Sequence, residues 1–267
     1  MSTATAPRLH QLVGVRAQEI RTVWLFFFHN FFLGVGTILV YVAANVILLE
    51  NNPETSLPVA YMASGAAMVA VGYVYAYFEH HLMLRTLALR VLWAVVALTG
   101  VIGVLLAVGH SIWAAVAIMA GYRLIYMLTN LEFWGVTAVV FDIRQGKRLF
   151  GVISAGDMPA KAMGAILAAI IHDHTSLLFL LVISFVAFMA AGATLRLTFQ
   201  SHEVHAAHRP ERVGRQSRSR WVSSVFGGNE LVVYMCLSLG ALATVGTQIE
   251  YNFFINIKYR FQDQSTV

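Results

Sequence analysis

The stretch TVWLFFFHNFFLGVGTILVYVAANVILL, residues 22–49, contains no Asp, Glu, Lys or Arg. About 20 predominantly apolar residues carry a helix across the roughly 30 Å hydrocarbon core of a bilayer, and this run exceeds that length. Its apolar residues are continuous, whereas a lipid-facing barrel strand must alternate. A spanning helix also satisfies its backbone hydrogen bonds internally, as lipid demands. The run is too long for the core of a cleaved signal peptide, and no small-residue cleavage site follows, so it is expected to stay as an anchor.

The same pattern recurs along the chain. Residues 55–78, 91–122, 174–195 and 231–249 likewise contain no Asp, Glu, Lys or Arg. The polar Gly109-His110-Ser111 is expected to turn the 91–122 run into two spans. Residues 112–141 and 149–171 are apolar but carry charge, which brings the expected total to seven spans. Composition agrees: 58% of the 267 residues are hydrophobic and 12% charged, with a mean hydropathy of +0.70. Soluble domains run near 45–50% apolar and about 25% charged. A soluble enzyme, a nucleic-acid-binding domain and a disordered chain are excluded together. The only cysteine, Cys236, allows no internal disulfide and no cysteine metal framework.

The basic residues sort by loop. Residues 51–57, 109–111 and 172–175 hold no Lys or Arg. The other connections hold Arg8, Arg16 and Arg21, then Arg85 and Arg90, then Arg144, Lys147 and Arg148, then Arg196, Arg209, Arg212, Arg215, Arg218 and Arg220. Positively charged loops stay in the cytoplasm, so the N-terminus is expected inside, in an inner or cytoplasmic membrane. Only Arg123, Lys161, Lys258 and Arg260 lie elsewhere.

These features predict an all-α polytopic membrane bundle. Residues 1–199 form a six-helix unit, 200–229 an Arg-rich cytoplasmic linker suited to anionic lipid headgroups, and 230–267 a seventh helix. A six-helix half, a long linker and the first helix of a second half is the layout of major-facilitator transporters. The chain is therefore expected to be incomplete, or to assemble with a second half or as a homo-oligomer. A small-molecule substrate is the expected ligand, with no nucleic acid.

Inside the spans sit Arg123, Glu132, Asp157 and Lys161, which would together cost on the order of 10 kcal/mol if unpaired in lipid. Arg123 and Glu132 are nine residues apart and point to opposite sides of the fourth span, so direct pairing is not expected. Asp157 and Lys161, at i and i+4, share a face of the fifth span in the order helices favour. Pro159 between them removes an N–H and is expected to kink that helix, while Gly151, Gly156 and Gly164 would let a neighbour approach. This kinked, glycine-lined helix is the expected substrate or ion pathway, with Glu132, Arg123, Asn130 and Glu250 as further candidates. A structural clamp and a snorkelling Arg123 are the competing readings. His202, His205 and His208 are read as solvated rather than metal-binding. No phosphate loop, dinucleotide fingerprint or nucleophile elbow is present, so neither a cofactor nor an enzyme is expected. Trp24-Leu25-Phe26-Phe27-Phe28 reads as an interfacial aromatic belt.

Asn130-Leu131-Glu132-Phe133-Trp134-Gly135, Gly146-Lys147-Arg148 and Leu149-Phe150-Gly151-Val152-Ile153-Ser154-Ala155-Gly156 form a recognisable pattern. It resembles the ATP:ADP antiporter (nucleotide transporter) family, a relative of the major facilitator fold, most closely over residues 130–156. Tyr259-Arg260-Phe261-Gln262-Asp263 is similar to the segment after helix seven in bacterial members. The resemblance implies that Glu132 lies in a central pathway and that Lys147 and Arg148 form a cytoplasmic positioning element; Arg144 is expected in the same cytoplasmic loop. Residues 42–49 hold no cation where that family carries a charged patch, and Phe78-Glu79-His80-His81 stands where ordinary facilitators carry Gly-x-x-x-Asp-Arg. The expectation is a secondary transporter for a small polar or anionic solute, with nucleotide exchange or a seven-helix sensor as alternatives. Thr55→Cys in a Cys236→Ser background is expected to react with a membrane-impermeant maleimide added outside intact cells; reaction only from the cytosolic face would invert the topology.

Overall fold

The computed structural model describes residues 15–16, 18–50, 53–108, 111–172, 176–201 and 230–262. Among them the secondary structure is α-helical, with no strand: α1 (Ile20–Glu50), α2 (Pro53–His81), α3 (Leu84–Val108), α4 (Ile112–Val140), α5 (Ile143–Ser154), α6 (Asp157–His172), α7 (Leu177–Ser201) and α8 (Glu230–Gln262). Five of these, α1, α2, α3, α4 and α7, are long and apolar enough to cross a membrane. They correspond to five of the seven expected spans, and they are the helices of a membrane-embedded bundle. Helix α3 ends at Val108 and α4 begins at Ile112, on either side of the expected turn at 109–111. Of that turn only Ser111 is among the described residues, and it accepts a hydrogen bond from the Ala114 N–H as N-cap. Residues 202–229 of the expected basic linker, with its histidines, and residues 173–175 lie outside the described residues, while residues 200–201 continue helix α7.

The expected fifth span is corrected. It is not one helix kinked at Pro159 but two helices, α5 and α6, parted by a turn at Ala155 and Gly156. The break falls before the proline for a simple reason. Within a continuous helix Pro159 would leave the Ala155 carbonyl without a donor and crowd it. As the third residue of α6, Pro159 sits in the first turn, where a backbone N–H has no intrahelical partner anyway. Asn30 of α1 meets the carbonyls that the break exposes, donating from Nδ2 to Ser154 O at 3.2 Å and Ile153 O at 3.4 Å.

Three smaller expectations change with it. Arg144, Lys147 and Arg148 lie on helix α5, not in a loop. Tyr259 and Arg260 continue α8 instead of following it. Phe26 leaves the aromatic belt for the core, where its ring meets Phe133 and Phe141, while Trp24 and Phe28 stay outside.

Helix α1 is the central element, packed against α7, α6, α4 and α5. Its sequence is apolar all round, as suits a helix enclosed by neighbours rather than one with a wet face. Helix α3 rests on α4 and α7, and α2 on α4. Helix α8 stands at the margin, leaving Tyr234, Leu237, Leu242, Val245 and Ile249 outward.

Two glycines let α6 reach α1. A Cβ on Gly156 would lie 2.5 Å from the Phe27 carbonyl oxygen, and one on Gly164 would lie 2.2 Å from Ile38 Cγ2. Gly151, expected to act likewise, faces open space. Gly156→Val is therefore expected to cost about 1–3 kcal/mol through backbone displacement, whereas Gly151→Ala should cost nothing. Unfolding midpoints in detergent test the contrast; equal midpoints would remove the close-packing argument.

Candidate functional site

The break between α5 and α6 opens a wedge against α1 and α4. The resulting cavity, with about 110 Å³ for the centres of water-sized molecules, is lined by Asn30, Leu33, Gly34 and Thr37 of α1, by Tyr126, Thr129, Asn130, Phe133 and Trp134 of α4, and by Ser154, Asp157 and Lys161 at the break. At roughly 10–15 Å³ per water on that measure, it holds several waters or a small solute.

Most polar groups in this wall are satisfied within their own helices. Thr37 and Thr129 donate to the carbonyls of Leu33 and Ile125 at 2.7 and 2.9 Å, and Asn130 Nδ2 donates to Tyr126 O at 2.8 Å. The Asp157–Lys161 pair is different. Its atoms meet at 2.5 Å as the spacing predicts, yet the two side chains remain 36% and 43% exposed. Such an open pair contributes little to stability, about 0–1 kcal/mol, and both members are within reach of whatever enters.

Of the other expected pathway residues, Asn130 lines this cavity, whereas Glu132, Arg123 and Glu250 do not. Glu132 lies behind its wall, 2% exposed, with Oε2 3.0 Å from His29 Nε2. Arg123 and Glu132 indeed do not meet, and each takes a partner from another helix. Arg123 Nη2 bonds Glu250 Oε2 of α8 at 2.6 Å. Tyr41 donates to Glu250 Oε1 at 3.3 Å. The Arg123 guanidinium lies 5.5 and 5.7 Å from the ring centroids of Tyr61 and Tyr122. Arg123 is thus held between two aromatic rings and paired with Glu250 of α8. Along α4, Arg123 and Glu132 are about 13–14 Å apart, so the single expected pathway resolves into separate polar levels.

A third level lies near the start of α1. Arg148 Nη2 contacts both carboxylate oxygens of Glu19 at 2.6 and 2.7 Å, and Gln145 donates to the same group at 3.3 Å. Arg148 ties α5 to the chain entering α1, while Arg144 and Lys147 stay exposed.

Sequence reasoning missed His29, Tyr41, Tyr61 and Glu19. A histidine inside an otherwise charge-free span is itself a signal, because an intramembrane titratable group is functional by default. A survey confined to Asp, Glu, Lys and Arg passes over it. Among the described residues there is no group of three or more His, Cys, Asp or Glu side chains arranged to hold a metal. Comparison with protein-family models, with curated proteins and with solved structures finds no match.

The Arg123–Glu250 pair is expected to be energetically coupled. Arg123→Gln and Glu250→Gln should each destabilise, and the double variant should cost less than their sum by about 0.5–3 kcal/mol. Denaturation in detergent measures this, and strictly additive costs would show that the pair does not form.

Proposed function

We propose that this chain is a secondary transporter of major-facilitator-like architecture. It admits a small polar or anionic solute to the cavity between α1, α4 and the α5–α6 break, and it works by alternating access with its N-terminus in the cytoplasm. One observation carries this reading: an interrupted helix places an unsealed Asp157–Lys161 pair at a cavity inside a bundle of membrane-spanning length. Transporter sites are characteristically built from discontinuous helices near mid-membrane, where half-helix ends and freed backbone groups can meet the solute.

The chemistry of the wall narrows the solute. Among the described lining residues Lys161 is the one cation, and it is already paired with Asp157. Asn30, Asn130, Tyr126 and Trp134 add amide, phenol and indole groups. This set suits an uncharged polar molecule or one anionic group, which takes Lys161 in exchange for Asp157. A nucleotide with three or four negative charges finds too little positive charge there, so the nucleotide exchange implied by the resemblance is the weaker form of the proposal.

The test begins with the purified full chain, screened for polar solutes and small anions that raise its unfolding midpoint. Solutes that do so are then offered, radiolabelled, to proteoliposomes. Lys161→Ala is expected to lower uptake about tenfold or more, the equivalent of roughly 1.4 kcal/mol of lost binding, while Arg144→Ala leaves it unchanged. Absence of any stabilising and transported solute, or equal activity in both variants, would overturn the proposal.

A further inference from the structure

The most deeply buried carboxylate among the described residues takes no part in the cavity wall. Glu132 Oε2 lies 3.0 Å from His29 Nε2, with the two side chains 0% and 2% exposed. Behind the imidazole, Nδ1 lies 3.0 Å from the Ala191 carbonyl oxygen and 3.3 Å from Thr194 Oγ1. A carbonyl can only accept, and Thr194 already donates its hydroxyl hydrogen to that same carbonyl at 2.8 Å. Nδ1 must therefore carry a hydrogen.

With Nδ1 committed, one further proton is shared between Nε2 and Oε2. When it sits on Nε2, an imidazolium faces a carboxylate. When it sits on Oε2, a carboxylic acid donates to a neutral imidazole. Both arrangements are hydrogen-bonded and carry no net charge. Loss of the proton gives a third state, in which the Nε2 lone pair faces a carboxylate across the same gap. That state carries one net negative charge inside the bundle and has no donor to meet it. Glu132 Oε1 is buried with no hydrogen-bond partner among the described residues, and leaving buried charge unpartnered is costly. The proton thus acts as the third member of a clamp joining α1, α4 and α7.

The clamp stands one side-chain layer behind the cavity. Asn30 and Leu33, beside His29 on α1, line the cavity, as do Thr129 and Phe133 beside Glu132 on α4. The Phe133 ring lies 6.2 Å from the His29 ring at an interplanar angle of 25°. The other titratable groups around the pair are few. Tyr75 of α2 lies within electrostatic reach of Glu132, and Glu79 of the same helix within reach of Tyr75. Asp157 and Lys161 of α6 are engaged with each other, and Arg148 of α5 is engaged with Glu19. Helix α7 contributes the Thr194 hydroxyl and the Ala191 carbonyl.

We propose that the His29–Glu132 pair is a proton-binding site that takes up and releases one proton, and that its occupancy sets whether α1, α4 and α7 are clamped beside the cavity. In release, the hydrogen bond between Nε2 and Oε2 breaks, the proton goes to water, and the pair is left as neutral imidazole plus carboxylate. In uptake, one proton restores the bond and the net charge returns to zero. The link between this proton and solute movement rests on the carrier reading above; the proton site itself does not.

Nitrogen NMR of the histidine-labelled full chain in liposomes tests the site, from about pH 5 to about pH 10, which spans perturbed histidine values. His29 is expected to keep a protonated Nδ1 throughout while its Nε2 signal moves with pH. Glu132→Gln offers an amide N–H to Nε2 and mimics the closed clamp, so there the His29 signals should be constant. Native His29 signals that do not move at any pH would overturn the proposal and leave the pair a fixed structural bond. The native titration is decisive by itself, so the test stands even where the variant folds poorly.

Coupling is read in proteoliposomes with a solute found by the stability screen. A pH gradient should change native uptake about fivefold or more, and Glu132→Gln should keep solute counterflow but lose that response. Gradient-independent native uptake would overturn the coupling. A titrating His29 in a protein that moves no solute would sink the carrier reading and leave the proton site standing.

Discussion

Hydrocarbon offers no hydrogen-bond partner, so a polar group enclosed by this bundle is costly unless another part of the protein meets it. The arrangement of the helices follows from that constraint more than from apolar attraction, since lipid tails solvate leucine as well as a neighbouring helix does. Thr99, Thr129, Thr137 and Ser64 return their hydroxyls to carbonyls one turn back in their own helices. Ser184 of α7 donates across to the Gly36 carbonyl of α1 at 2.8 Å. Asn30 covers the carbonyls left bare where α5 ends. A helix break in such surroundings is tolerated only beside a donor of this kind, and beside a small space where the remaining groups can turn inward.

The charges obey the same rule with longer reach. Their pairs join helices far apart in the chain: α1 with α4 through His29 and Glu132, α4 with α8 through Arg123 and Glu250, and the entry to α1 with α5 through Glu19 and Arg148. Helix α8 illustrates the effect. It has little packing surface against the bundle, and Glu250 carries its connection to Arg123 and Tyr41. Among the described pairs, only Asp157 and Lys161 meet within one helix, and only they remain open to the cavity. Charge in this molecule therefore divides by location: His29–Glu132, Arg123–Glu250 and Glu19–Arg148 join different elements of the bundle, and the Asp157–Lys161 pair at the break lines the cavity.

Much of this was legible in the residues alone. Continuous apolar runs determine helices of spanning length, since no other local structure satisfies their backbones in lipid. The angular arithmetic of a helix settles that Arg123 and Glu132 diverge and that Asp157 and Lys161 converge. Proline at position 159 announces a disturbed helix, because its ring removes a donor wherever it falls. These conclusions depend on neighbours in sequence, and neighbours in sequence are what a sequence displays.

Tertiary structure decided the rest. The break settles at Ala155 and Gly156, one turn ahead of the proline, because Phe27 lies close enough to exclude a side chain there and Asn30 is placed to receive the exposed carbonyls. Gly151 and Gly156 look alike in sequence, yet only the second faces a neighbour. His29 with Glu132 and Arg123 with Glu250 are separated by more than a hundred residues in each case. Helical periodicity gives the direction of each side chain about its own axis but not which other axis stands opposite. That choice belongs to the whole bundle, where each buried charge must find the one helix able to neutralise it.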